Sequence, residues 1–321
     1  MMGKIFKRIN QFQTIPMKRC LLAVMGAVLL AAGAQPVRAQ QQQDPQYAQY
    51  MFNGIVINPA YGSMDESTNL TAVARDQWVG IEGAPKTAAF SFYSPVHQSG
   101  TTLGFTGLTE NVVPVTQTAL NLHVSQRVML NHKTYLALGL KVGMAQFHEN
   151  DQQFNTSDPV YAKNLTYSRT DVGFGFMLFT ERFYVGLSSP SFRSLANSKK
   201  AETTIYQRRW YLQAGYLFDV NDDLKFKPNA MLRQVYGNGF QYDLNANFLI
   251  KNTVWAGASY RSEKIVNAIM QVQATKNLQV GYAYDFPLSN NLLGMQGGSH
   301  ELMLNYRFSF NKFKVVAPRY F

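Results

Sequence analysis

Cysteine is almost missing: the chain has one, Cys20, inside its first apolar run. The rest of the chain has no disulfide framework, no thiolate metal site and no thiol nucleophile. Long apolar runs are equally scarce. Cys20 to Ala34 (CLLAVMGAVLLAAGA) spans about 15 residues, and no later run reaches 18. That is short for a transmembrane helix, which needs roughly 20. If the remainder enters a membrane it must do so as a closed barrel, because hydrocarbon tolerates only helices and barrels. Catalytic motifs are missing too. No G-x-S-x-G, P-loop, H-E-x-x-H or paired-carboxylate pattern occurs, and His97, His123, His132, His148 and His300 are scattered. His123 and Ser125 share a strand face, but they keep register with Asn121 and Arg127, which marks them as lumen-lining polar residues. No catalytic residue, metal ligand or cofactor site is expected.

The first 39 residues read as a secretory signal. Lys4, Lys7, Arg8, Lys18 and Arg19 precede the apolar run, and Val37-Arg38-Ala39 offers an A-x-A-like cleavage site. Lys18-Arg19 in front of Cys20 argues against a lipoprotein. Those residues plus Arg38 are six basic groups with no acidic one, so removing them lowers the formal charge from +11 to +5. The apparent basicity is thus mostly targeting, and no Lys/Arg run suggests nucleic acid as a partner.

From residue 68 onward the dominant period is two. Leu136, Leu138, Leu140 and Val142 alternate with Ala137, Gly139, Lys141 and Gly143. Tyr242, Leu244, Ala246, Phe248 and Ile250 alternate with Asp243, Asn245, Asn247 and Leu249, and Leu302, Leu304, Tyr306 and Phe308 with Glu301, Met303, Asn305 and Arg307. Trp210–Phe218 and Val254–Arg261 repeat the pattern, with Leu217 and Trp255 on the second register. One face is aliphatic and aromatic, the other small, polar or charged, as in transmembrane barrel strands. A soluble sandwich alternates as well. Segments of about ten residues recurring about every twenty, aromatics near strand ends and inward glycines favour the membrane.

The fold class predicted is all-β, a transmembrane antiparallel barrel of about 14 strands. They are placed near 68–78, 86–95, 100–110, 116–130, 134–147, 170–180, 182–190, 204–220, 223–235, 240–250, 253–261, 264–274, 277–286 and 299–310. Every second link is minimal: 96–100, 131–133, Glu181, 221–222, 251–252 and 275–277. The long links 148–169, 191–203 and 287–298 fall among the others. Outer-membrane barrels show this asymmetry, with short periplasmic turns opposite long surface loops. An even strand count then puts both termini in the periplasm.

Residues 40–67 form a separate N-terminal segment, periplasmic or plugging the lumen, ahead of the 68–310 barrel and a basic 311–321 tail. The segment is aromatic and amide-rich: Asp44, Pro45, Tyr47, Gln49, Tyr50, Phe52, Asn53, Asn58, Pro59 and Tyr61. Partner contact and lumen plugging are both open, since Tyr-rich stretches bury large area at low entropy cost. Lys225, Lys227, Arg233, Asp243, Arg261, Asp285, Glu301 and Arg307 fall on the polar, lumen-facing register, where a pair such as Arg233–Asp243 can form across strands. A passive porin or small-solute transporter is the competing reading of such a barrel.

Several blocks also carry a resemblance. DPQYAQYMFNGIVINPAYGS (44–63), RDQWVGIEGAPKT (75–87), LKFKPNAMLRQV (224–235), FQYDLNANF (240–248), WAGASYR (255–261), VGYAYDFPLS (280–289) and GSHELMLNYRF (298–308) resemble, in order, the PorP/SprF family. The resemblance implies a non-enzymatic outer-membrane component of the type IX secretion system of Bacteroidetes. It implies partners among other secretion components, and a secreted surface adhesin or similar client connected with gliding motility. The ending APRYF (317–321) looks more like the SprF-type members.

The link asymmetry makes a topological prediction. A tag inserted at 155–160 is expected to label on intact cells, and one at 221–222 only after the outer membrane is permeabilised. Equal labelling of both sites on intact cells would overturn the register.

Overall fold

A computed structural model describes residues 47–96, 100–150, 164–196, 208–235, 239–288 and 297–309. The signal, Asp44, Pro45 and the C-terminal tail lie outside the described residues.

The strands follow from the alternation. They are β1 (Thr68–Asp76), β2 (Lys86–Val96), β3 (Thr101–Val112), β4 (Val115–Asn131) and β5 (Thr134–Glu149). Next come β6 (Leu165–Phe179), β7 (Phe183–Ala196), β8 (Arg209–Tyr216), β9 (Phe218–Asn221) and β10 (Leu224–Val235). Last are β11 (Gly239–Ile250), β12 (Val254–Arg261), β13 (Ile265–Gln273), β14 (Leu278–Pro287) and β15 (Ser299–Phe308). β8 and β9 are one barrel strand interrupted at Leu217, whose N–H turns to the Arg182 carbonyl at 2.7 Å. Each strand pairs antiparallel with its neighbours, and β1 pairs with β15 from Thr68↔Phe308 to Asp76↔His300. The result is a closed fourteen-stranded barrel, and closure leaves the sheet no free edge.

Burial alternates with the same period. Leu138, Leu140 and Leu122 are 47%, 59% and 59% exposed, whereas Ala137 and Met177 are fully covered. The exposed side faces lipid. Aromatic rings gather toward both ends of that face: Tyr216, Phe218, Phe226 and Phe248 near the short-link end, and Phe192, Trp210, Tyr284 and Phe286 near the other.

Three strands run further than the alternation suggests. β5 reaches Glu149, β6 starts at Leu165 instead of near 170, and β7 reaches Ala196. The ladder continues there because backbone pairing does not need an apolar face; Phe147 and Tyr167 stack inward at 5.2 Å. On β5 and β6 the outward residues at that height are polar, so the sequence signal fades before the strands do.

The two faces predict unequal responses to charge. Leu138→Arg is expected to cost on the order of 2–4 kcal/mol, the penalty for arginine near the middle of a barrel's lipid face. Urea unfolding in lipid vesicles measures it, and an unchanged midpoint would contradict the lipid-facing assignment.

Candidate functional site

The lumen is where polar chemistry collects, and residues 47–67 run through it. Three short 3-10 turns, Tyr50–Phe52, Gly54–Val56 and Tyr61–Met64, carry the chain across the barrel interior. Asn58 organises the middle: its Oδ1 accepts the Ala60 N–H at 2.9 Å, and Pro59 restricts the backbone between them. Of the candidate segment residues in view, Gln49, Tyr50, Phe52, Asn53, Asn58, Pro59 and Tyr61 are buried and Tyr47 is partly so.

A backbone inside a barrel needs partners from the wall, and the wall supplies them on nearly every side. The Glu301 carboxyl accepts the N–H groups of Ala48 (2.7 Å) and Gln49 (2.9 Å). Gln271 donates to Gln49 Oε1 at 2.9 Å, and Asn245 donates to the Tyr50 hydroxyl at 2.7 Å. Ser91 donates to Asn53, Ser188 to the Ile57 carbonyl, and Asn58 to the Phe176 carbonyl. Ser63 meets Ser125 at 2.6 Å, and Asp65 receives Arg307 at 3.2 Å. The path runs from Tyr47, bonded to Arg261 at the long-link end, down to Thr68 at the short-link end.

The inward face is not uniformly polar. Leu217, Leu249 and Trp255 are 3% exposed on it and pack against Tyr50, Met51 and Phe52; Trp255 and Phe52 meet edge-on at 5.6 Å. The Lys227 ammonium lies 5.1 Å from the Phe52 ring and 5.5 Å from Trp255, so two aromatic faces shelter a fully buried cation. These apolar inward positions exist because the barrel encloses a second apolar surface rather than water.

Arg75, Arg169, Asp171, Arg233, Asp243, Arg261, Asp285 and Glu301 form a charged layer near the long-link end. Arg261 bonds Asp243 at 3.1 Å. Arg75 bonds Asp285 and reaches Glu301 at 3.3 Å, all three almost completely buried. Arg233 does not take Asp243; it bonds its register partner Gln241 and also Glu263 at 3.2 Å. Met231 on β10 stands opposite Asp243, and Arg261 on β12 is the register partner of Asp243 on its other side. Lys225 pairs with Asp219 at 2.7 Å beside the short 222–223 turn. Arg75 and the buried Arg169–Asp171 pair (2.9 Å) were not singled out by sequence reasoning, although both lie on inward registers. His123 bonds Thr106 at 3.0 Å while Ser125 bonds Ser63, so the two engage separate partners. A cavity of about 130 Å³ remains between the segment and the charged layer, bordered by Tyr50, Ile57, Lys141, Arg169 and Arg261.

Small inward residues make room for the segment. A Cβ on Gly139 would sit 2.3 Å from the Ala60 nitrogen, and one on Gly175 2.0 Å from Asn58 Oδ1. Gly139→Ser is therefore no benign lumen substitution. It is expected to push the segment off β5 at roughly 1–3 kcal/mol, the usual cost of overpacking. Limited proteolysis near residues 54–62 should accelerate while heat-modifiable gel migration still reports a closed barrel; unchanged proteolysis would contradict the contact.

Among solved structures, the fold is similar to a mutant of the TodX monoaromatic hydrocarbon channel (9% identity, 80% of this chain and 94% of that one, TM-score 0.49). It is similar to the CymD monoaromatic hydrocarbon channel (13%, 82% and 94%, TM-score 0.49) and to the outer membrane protein Omp33 of Acinetobacter baumannii (11%, 77% and 100%, TM-score 0.42). No curated protein sequence matches. Residues 39–306 match the family described as type IX secretion system membrane protein PorP/SprF, so the chain belongs to the PorP/SprF family.

Proposed function

We propose that this outer-membrane barrel assists the secretion or surface anchoring of large cell-surface proteins, and that it does so through protein contacts, without catalysis. The observation that carries the reading is the filled lumen. Residues 47–64 are bonded to opposite walls and cored by Tyr50, Phe52 and Tyr61, which favours a closed scaffold over a passive pore. The cavity beside the segment is only about 130 Å³. Family membership supplies the secretion context.

In this reading the short-link end, with Thr68 and Phe308, faces the periplasm, and the links after β5, β7 and β14 face outward. Loops anchored on a rigid wall are the usual carriers of partner recognition. The periplasmic partners are other type IX components, and the client is a secreted adhesin or similar surface protein. Residues 47–63 serve as the plug, and their aromatic surface also gives the wall the rigidity that the loops need.

Deletion of 44–63 tests this. The barrel is expected to insert and stay heat-modifiable, to gain ion conductance in planar bilayers, and to lose client display by surface immunolabelling. A milder pair, Tyr50→Ala with Phe52→Ala, should show the same directions with smaller size. Conductance gained with normal display would reduce the segment to a plug and sink its role in secretion.

A further inference from the structure

The barrel wall is uneven in height. β4, β5 and β6 have 17, 16 and 15 residues, whereas β12 to β15 have 8 to 10. On the tall side the apolar outward belt ends at Leu120 and Met144, both more than half exposed. Above it the sheet continues for about five residues, or on the order of 13 Å of height at a usual barrel tilt.

The outward face of that extension has its own chemistry. Thr109, Thr118, Gln146 and Ser168 are register partners across β3 to β6 and form one row. Asn111, Thr116, His148 and Thr166 form the next row up. Six of the eight are exposed, the other two half-buried. The inner face at this height is closed: Gln117, Phe147 and Tyr167 are buried. The rows therefore look sideways, away from the lumen, and within β3–β6 contain hydroxyls, amides and one imidazole but no Lys, Arg, Asp or Glu; Lys86, the register partner of Asn111 on β2, has its charge paired with Asp76 at 3.8 Å. On the short wall the corresponding outward ends carry rings such as Tyr242–Tyr260 and Tyr284–Phe286.

We infer that this polar grid on β3–β6 docks the sugars of outer-leaflet glycolipid. The occupant follows from position and charge. The grid continues the lipid-facing belt upward without a gap, so what meets it is whatever lies directly above the hydrocarbon. Phosphate groups call for basic side chains, which the grid lacks. Sugar hydroxyls call for paired donors and acceptors, and Thr, Ser, Asn and Gln provide both. The strands hold those groups in a flat array about 4.8 Å apart, so ordering them on binding costs little entropy. Contact on this side alone would fix the barrel's rotation in the membrane and aim its outward links. The inference rests on the orientation proposed above, which surface tags at 155–160 test independently.

The experiment uses the full-length barrel reconstituted with two probes: rough lipopolysaccharide bearing a complete core, and lipid A without core sugars. Native mass spectrometry counts the glycolipids retained per barrel after matched delipidation. The wild type is expected to retain the core-bearing probe at least threefold better. The variant Thr118→Val with Gln146→Met and Ser168→Ala, shown to be folded by heat-modifiable migration, should retain both equally. A benzophenone side chain placed at Thr118 should yield glycolipid adducts in intact cells. Equal retention of the two probes by the wild type, an undiminished preference in the variant, or crosslinks to protein in place of glycolipid would each overturn the inference. With tags at 155–160 unlabelled on intact cells, the failure would belong to the orientation instead.

Discussion

Backbone hydrogen bonding in hydrocarbon is the constraint from which the rest follows. Lipid offers no partner to an open strand edge, so the sheet must return on itself, and it does so where β1 meets β15 over nine register pairs. Closing fourteen strands satisfies the wall but encloses a space wider than inward side chains fill by themselves. That space either holds water or takes in another piece of chain. Here residues 47–67 occupy it, and the inward chemistry of the wall is arranged around them: Trp255, Leu249 and Met303 for their apolar surface, Glu301, Gln271, Asn245 and Ser188 for their polar groups.

The buried ions are better understood as positioning devices than as a source of stability. Arg75, Asp285 and Glu301 are nearly inaccessible, and taking such groups out of water costs about what their attraction returns. Losing one partner is another matter, because the others are left charged and buried. Glu301 couples this balance to the segment, since the same carboxyl holds two of its backbone N–H groups. Gly139 and Gly175 act in the complementary way, by offering no side chain where the segment's backbone and Asn58 lie against the wall. The same fit leaves no room for a side chain at Gly139.

How far the sequence could be read depended on whether a feature is local. Leu138 and Leu140 against Ala137 and Gly139 announce a strand and its lipid face from neighbours alone, and all fourteen strands were legible this way. The alternation failed where the environment changed but the ladder did not. β6 begins at Leu165, beyond the apolar belt, where Thr166 and Ser168 replace leucines. Leu217 and Trp255 kept the inward register yet contradicted its expected polarity, because their partner is the N-terminal segment rather than solvent. The break at Leu217 left no mark in the composition.

By itself, then, the sequence determined the barrel, its strand number, its two faces and the unequal lengths of its links. Those are consequences of a two-residue period and of turn length, which involve neighbours along the chain or between adjacent strands. Only the tertiary structure decided that Gln49 meets Glu301 across 252 positions of sequence, that Arg233 takes Gln241 and Glu263 in place of Asp243, and that Ala60 stands against Gly139. Such pairs come into being only when closure brings distant strands around one lumen. No period in the chain encodes them, because the distance that matters is measured across the barrel and not along the backbone.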